Sequence, residues 1–330
     1  MSFIEVKHVS KSFKVVKREK GFKNALKSFF KREYIMVDAA RDINFSIEKG
    51  EIVGYIGPNG AGKSTTIKIL SGILLPDQGS VRVGSLDPAK DRKKYVKNIG
   101  VVFGQRSQLW WDIPANDTFE LLKDMYDIEE SNYEKTKNEL VKLLRLEKII
   151  NIPVRQLSLG ERMRLEIAAS LLHQPEILFL DEPTIGLDAI SKKIVREFIK
   201  KLNQNFKTTV ILTTHDMSDI EALAKRIILI GKGEILYDGT LQRLKNKYGN
   251  NKIVKIFTKD KVEVNKKGIT DFSKKEYGYE FIIDVNELTI SDFLKYISTR
   301  INIDDIEIDN ANIDDIIVKT YEDYNIWNNI

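Results

Sequence analysis

The residues best suited to chemistry form one run, Gly57-Pro58-Asn59-Gly60-Ala61-Gly62-Lys63-Ser64, followed by Thr65. It fits the pattern G-x-x-x-x-G-K-[ST], a loop whose backbone amides wrap nucleotide phosphates while the lysine pairs with the outer phosphates and the hydroxyl ligates Mg²⁺. Gly57, Gly60 and Gly62 can take positive φ and let main-chain N–H groups approach an anion that a Cβ would hold away. A second reactive pair, Asp181-Glu182, closes the apolar run Ile177-Leu178-Phe179-Leu180. His215 closes another, Thr208 to Thr214. Gln105, Leu157-Ser158-Leu159-Gly160-Glu161 and Gly186-Leu187-Asp188 are the remaining polar or glycine-rich signals.

Such groups work only if something rigid delivers them. Ile52 to Ile56 reads as a short buried strand and Ser64 to Leu70 as the start of a helix, so the glycine-rich loop occupies a strand-to-helix turn, as phosphate binding requires. Asn98 to Phe103, Glu176 to Glu182 and Thr208 to His215 read as further buried strands. Arg226 to Ile230 and Glu234 to Tyr237 make a hairpin around Gly231-Lys232-Gly233. Leu157 to Glu161 opens a helix. Strands alternating with helices predict an α/β core with parallel strands, and the polar groups fall at the strands' carboxyl ends, where such sheets bind ligands. Asp181 would therefore sit beside the metal with Ser64, and Glu182 would be the general base or water-orienting residue.

With 330 residues, 42% hydrophobic and 31% charged, the chain suits about two soluble globular domains. No apolar stretch is long enough for a membrane span, and Met1 to Lys7 lacks the apolar core of a signal peptide, so a cytoplasmic chain is expected. With no cysteine, disulfides and thiolate sites are excluded, and three histidines argue against a histidine-rich metal site. Charge is uneven. Residues 14–33 carry eight Lys/Arg against two Glu, whereas 251–330 carry eleven basic and sixteen acidic side chains. Within the basic stretch Phe22, Ala25, Leu26, Phe29 and Phe30 recur at helical spacing, predicting a basic amphipathic helix that lies on anionic inner-leaflet lipid or a membrane partner, or packs on its own domain.

The phosphate loop, Gln105, the 157–161 run, Asp181-Glu182, Gly186-Leu187-Asp188 and His215 follow the order and approximate spacing of an ABC-type ATPase. Over about residues 1–240 the chain resembles the nucleotide-binding subunit of an ABC transporter of the ABC-2, drug and polysaccharide export kind. The resemblance implies ATP and Mg²⁺ as cofactors, with Ser64, Gln105 and Asp181 at the metal, and Lys63, Gln105, Glu182 and His215 as the catalytic set. It implies that residues 57–65, Ser158, Gly160 and Asp188 hold nucleotide, the last three across a subunit interface. The chain has one phosphate loop and one 157–161 segment, so a complete site calls for a head-to-tail homodimer. An aromatic about eleven residues before Phe45 would stack on adenine, which selects Tyr34, with Phe13 as the alternative.

The implied fold has an ATPase domain over 1–245, with a parallel core sheet, an antiparallel β subdomain, a basic insertion at 14–33 and a helical subdomain at about 105–172. A polar linker, Lys245 to Asn251, would lead to a small α+β module over 246–330, expected to be ferredoxin-like. The resemblance also implies integral-membrane permease partners, met near Trp110-Trp111 with one of these rings exposed, and a peripheral place on the cytoplasmic side of the membrane. Action on nucleic acid or ribosomes is the competing reading; the expectation is no nucleic-acid partner.

Overall fold

The computed structural model describes residues 2–16, 34–104, 107–248, 251–310 and 313–324. They divide into two units, Met1–Asp238 and Gly239–Ile330. In chain order the first unit runs β1 (Ile4–Val16), β2 (Tyr34–Ile47), β3 (Ile52–Ile56), α1 (Lys63–Leu70), β4 (Gln78–Val83), α2 (Arg92–Tyr95) and β5 (Ile99–Phe103). The helices α3 (Ala115–Met125), α4 (Glu130–Leu144) and α5 (Leu159–Ala169) follow. It closes with β6 (Ile177–Asp181), α6 (Ala189–Phe206), β7 (Thr209–Thr213), α7 (Met217–Leu223), β8 (Arg226–Gly231) and β9 (Glu234–Thr240).

The five-residue apolar runs become the strands of a six-stranded sheet ordered β5-β6-β7-β3-β8-β9. Every residue of β6 and β7 is buried, as befits parallel strands covered on both faces. The pairs β5–β6, β6–β7, β7–β3 and β3–β8 are parallel. Strand β7 therefore lies between β3, which leads into the glycine-rich loop, and β6, which ends in Asp181. A separate antiparallel sheet, β2-β1-β4, packs Ile4, Val6, Ile43 and Ile47 into the same core as Tyr55, Ile67 and Phe179.

The β1–β2 hairpin is longer than sequence reading allows. Pairing runs from Ile4 with Ile47 out to Val16 with Tyr34, so Lys14, Val15 and Val16 are strand rather than the start of an insertion. Val15 facing Ile35 and Val16 facing Tyr34 are β-branched and aromatic cross-strand pairs of the kind that stabilise antiparallel ladders. Partner β4 leaves β1 after Ser10, so the outer part is a two-stranded ribbon. The expected basic helix lies outside the described residues.

In the second unit α8 (Leu241–Tyr248), β10 (Asn251–Phe257), β11 (Ile269–Lys275), β12 (Gly278–Asp284), α9 (Ile290–Ser298), β13 (Asp305–Asn310) and α10 (Ile313–Asp323) follow in order. The sheet is β11-β12-β10-β13 with antiparallel neighbours. Val254, Ile256, Phe281 and Ile283 bury one face of it under Phe293 and Ile297 of α9. Two expectations need correction. The supposed linker is helix up to Tyr248 and strand from Asn251, because Leu241 and Leu244 give α8 a buried face against α10. Strand β11 adds an edge to the α+β module that no apolar pattern announces, since Ile269-Thr270-Asp271-Phe272-Ser273-Lys274-Lys275 alternates weakly and is mostly solvent-facing. The connectivity is not ferredoxin-like, for β10 passes to β11 with no helix between them.

Among the described residues no helix is long and apolar enough to cross a membrane. One buried charge ties the functional loops of the first unit to its core. Asp219 on α7 is fully buried and accepts hydrogen bonds from Thr184, Thr214 and Arg196. Removing Asp219 orphans the buried Thr184 and Thr214 hydroxyls and leaves the partly exposed Arg196 with Asp216 and Ser218, which costs about 1–3 kcal/mol. Asp219→Ala is expected to lose that much stability, read from the urea midpoint of the intact chain; a change below about 1 kcal/mol would refute the assignment.

Candidate functional site: a phosphate loop facing two carboxylates

The loop from Gly57 to Gly62 is shaped by where a side chain cannot go. At Gly62 the backbone is left-handed, φ +103°, and a Cβ would lie 2.0 Å from the carbonyl oxygen of Ala39. Gly62 caps α1 without any side-chain hydrogen bond, so the first-turn amides at Lys63, Ser64 and Thr65 remain for an anion, aided by the helix dipole. Pro58, Asn59 and Ala61 fill the turn, and no atom lies within 4 Å of a Cβ built at Gly60, whose φ is +81°.

Lys63 is buried, and its ammonium donates to the carbonyl oxygens of Gly57 at 2.7 Å and Pro58 at 3.2 Å. Burial lowers its pKa, against the pull of the Glu182 and Asp181 carboxylates. Opposite, Asp181 Oδ1 receives Thr213 Oγ1 at 2.6 Å and Ser64 Oγ at 3.3 Å. Thr213 also accepts the Glu182 amide at 3.1 Å. Glu182 adopts φ +56°, which turns its carboxylate off the strand, where Oε2 lies 2.6 Å from His215 Nδ1. The His215 side chain is 58% exposed and that of Glu182 19%, so the pair is reached from solvent on the histidine side.

Three strand ends thus converge: β3 with the loop, β6 with Asp181-Glu182, and β7 with Thr213 and, two residues beyond its end, His215. Thr213 is the functional residue sequence reasoning missed. Its only signal was a hydroxyl ending an apolar strand, and its role needs β6 as neighbour. Hydroxyl and carboxylate oxygens at Ser64 and Asp181 suit the hard, oxygen-seeking Mg²⁺.

A second group gathers at two helix starts. Ser158 caps α5 through a capping box, its hydroxyl accepting the Glu161 amide while the Glu161 carboxylate accepts the Ser158 amide. Asp188 caps α6, accepting the amides of Ile190 and Ser191 at 2.9 Å each; these bonds, led by those from Ser191, lower its pKa. Gly160 is pressed against this cap: a Cβ there would meet Ser191 Oγ at 2.3 Å and Asp188 Oδ2 at 3.3 Å. Ser158, Gly160 and Asp188 therefore form one surface on α5 and α6, apart from the phosphate loop in sequence and held by their own bonds.

Gln105 lies outside the described residues. Tyr34 is half exposed at the outer end of the ribbon, paired with Val16, with Lys14 Nζ 4.2 Å from its ring centre. Ala39, which touches the loop at Gly62, is five residues from Tyr34 but two from Val37, the partner of Phe13. At strand spacing that is about 17 Å against about 7 Å, so the ribbon carries Tyr34 away from the loop and keeps Phe13 near it. Trp110 and Trp111 are both exposed, at 60% and 51%, where one was expected.

Fold and site together define a phosphate-loop nucleotide hydrolase with a parallel core, an antiparallel subdomain and a helical insertion. The family model described as ABC transporter matches residues 40–185. The chain is 35% identical over 209 residues to the ABC transporter ATP-binding protein NatA of Bacillus subtilis (strain 168), covering 63% of this chain and 85% of NatA. Linearmycin resistance ATP-binding protein LnrL of the same organism is 34% identical over 226 residues, covering 68% and 72%. Among solved structures, the dimeric post-hydrolysis state of the ATP-binding cassette MJ0796 bound to ADP and Pi matches with TM-score 0.60 and 28% identity, over 72% of this chain and 98% of that one. The chain belongs to the family of ABC transporter ATP-binding proteins. It binds Mg²⁺ and ATP and is an ATPase.

The Thr213 bridge can be tested alone. Thr213→Val keeps the shape and removes both hydroxyl hydrogen bonds, leaving the Glu182 amide on the Thr213 carbonyl oxygen at 3.0 Å, a loss of about 1–3 kcal/mol. Mg-ATP turnover is expected to fall about tenfold or more with ATP binding, by titration calorimetry, little changed. Equal turnover would show that Asp181 and Glu182 need no such tie.

Proposed function

We propose that this chain is the ATP-hydrolysing subunit of an ABC-2 type exporter. It would homodimerise head to tail, enclose two Mg-ATP and drive separate integral-membrane permease subunits from the cytoplasmic side of the membrane. The observation that carries the reading is the meeting of Lys63, Ser64, Asp181, Glu182 and His215 on three adjacent strand ends. Ser64, Asp181 and Gln105 would hold Mg²⁺, which would supply charge neutralisation at the phosphates. Glu182 acts as base toward water, and His215, bonded to it, orients that carboxylate and the water. Lys63 exchanges its carbonyl partners for phosphate oxygens.

Support for two chains comes from the second group. Ser158, Gly160 and Asp188 cluster at the starts of α5 and α6, and exposed Leu159 and Ile190 flank them, an apolar rim for a partner protomer. The resistance function in the name of LnrL favours export. Trp110 and Trp111 are the proposed permease contact, exposed aromatics being frequent interface anchors. Adenine stacking passes from Tyr34 to Phe13 on the register given above. The basic stretch 14–33 is proposed to face anionic lipid, supported by its charge and by the exposed Val15, Ile35 and Met36 of the adjoining ribbon.

Glu182→Gln is expected to lose about 10²–10⁴-fold in hydrolysis and to accumulate an ATP-dependent dimer on size exclusion. Retained turnover would remove Glu182 from the chemistry, and a monomer at saturating Mg-ATP would argue against the two-chain site. Trp110→Ala with Trp111→Ala should abolish co-purification with the membrane subunits while leaving ATPase activity within about twofold. Undiminished complex formation would move the permease contact elsewhere.

A further inference from the structure

Glu166 lies on α5 eight residues after Ser158, about two helical turns and 12 Å along the axis. It is 4% exposed, and a carboxylate is a costly group to bury in a helix that could pack an apolar residue instead. Burial pushes its pKa up, against hydrogen bonds from Ser107, Gln108 and Leu109 and the charge of Arg162. Those partners share one short stretch of chain. Ser107 Oγ donates to Oε1 and the Gln108 amide to Oε2 at 3.1 Å. The Gln108 side-chain amide donates to the Glu166 carbonyl oxygen at 2.9 Å.

One turn earlier on the same helix face, Arg162 places its guanidinium 5.5 Å from the Trp111 ring centre, an i, i+4 companion of Glu166. The Trp111 carbonyl accepts the Arg155 amide at 3.0 Å. Residues 107–111 are therefore fastened at both ends, while Trp110 and Trp111 keep their rings in solvent. Nothing in the hydrolytic group accounts for this fastening.

We propose that Glu166 is a positioning residue that locks segment 107–111 to α5, so that the exposed tryptophans and the Ser158–Gly160 helix start move as one body. ATP gathered at Ser158 and Gly160 then displaces the tryptophans, and a partner pulling on the tryptophans displaces Ser158 and Gly160. This rests on the reading that α5 meets ATP in a two-chain site.

The chain has three tryptophans, so Trp327→Phe leaves emission from Trp110 and Trp111 alone. In that background, with Glu182→Gln to block hydrolysis, acrylamide quenching is measured with and without Mg-ATP while size exclusion reports the dimer. The parent should dimerise and change its quenching constant. Glu166→Gln, still dimerising, should lose about threefold or more of that change, and Ser107→Ala, which keeps the carboxylate, should lose part of it and carries the test if the glutamine variant fails to fold. Full-sized changes in the folded variants overturn the proposal, as does a parent that dimerises with unaltered quenching. A parent that stays monomeric in Mg-ATP overturns the two-chain reading and the proposal with it.

Discussion

A buried ammonium is the constraint around which the first unit is built. Lys63 cannot stay charged inside the strand-to-helix turn unless opposite charge or carbonyl oxygen surrounds it. Two loop carbonyls give it direct bonds, and Asp181 and Glu182 supply the field. Those carboxylates do not belong to the neighbouring strand. They come from the end of β6, one strand further away, and β7 fills the gap with Thr213, whose hydroxyl donates a hydrogen bond to Asp181 and accepts one from the Glu182 amide. In the order β6-β7-β3 the counter-charges lie close to the lysine yet are held by Thr213 rather than by the lysine itself.

The same logic of fixed polar groups recurs away from the loop. Asp219 holds Thr184 and Thr214, hence the turn after Glu182 and the residue before His215. Asp188 and Ser158 hold the starts of α6 and α5. Each is worth about 1 kcal/mol as a cap, small for stability, but together they set helix starts whose small residues pack within contact distance. Helix α5 is the element on which most of this converges. Its first turn carries Ser158 and Gly160, its buried face enters the core at Leu165 and Ile167, and Glu166 and Arg162 reach the chain segment beside Gln105.

Two regions stand outside that economy. The β1–β2 ribbon extends past its last contact with β4 carrying exposed Phe13, Val15, Tyr34, Ile35 and Met36. A two-stranded ribbon has little stability of its own, and these apolar side chains find no cover within the described residues of the first unit. The second unit has its own apolar core beneath one face of its sheet. Its other face carries Lys255 between Glu307 and Asp309, an exposed charge pattern that adds solubility and little energy.

The sequence by itself determined the chemistry and the core strands. The glycine pattern before Lys63, the carboxylates after Leu180 and the histidine after Thr214 are local signals, because buried parallel strands read as unbroken apolar runs and because reactive groups gather at their ends. It also determined the starts of α5 and α6, since Ser158 with Glu161 and Asp188 are caps readable within four residues. Tertiary structure alone decided what depends on neighbours distant in the chain. The bridging by Thr213 exists only once β7 lies beside β6. Tyr34 and Phe13 are both aromatic and become distinguishable only through the register of a ribbon closed across a long insertion. Glu166 looks like any helical glutamate until Ser107 and Gln108 are brought beneath it. Strand β11, with its weak alternation, and helix α8, with two leucines in a polar stretch, are ordered by partners rather than by intrinsic pattern, which is why burial, a property of the folded whole, had to reveal them.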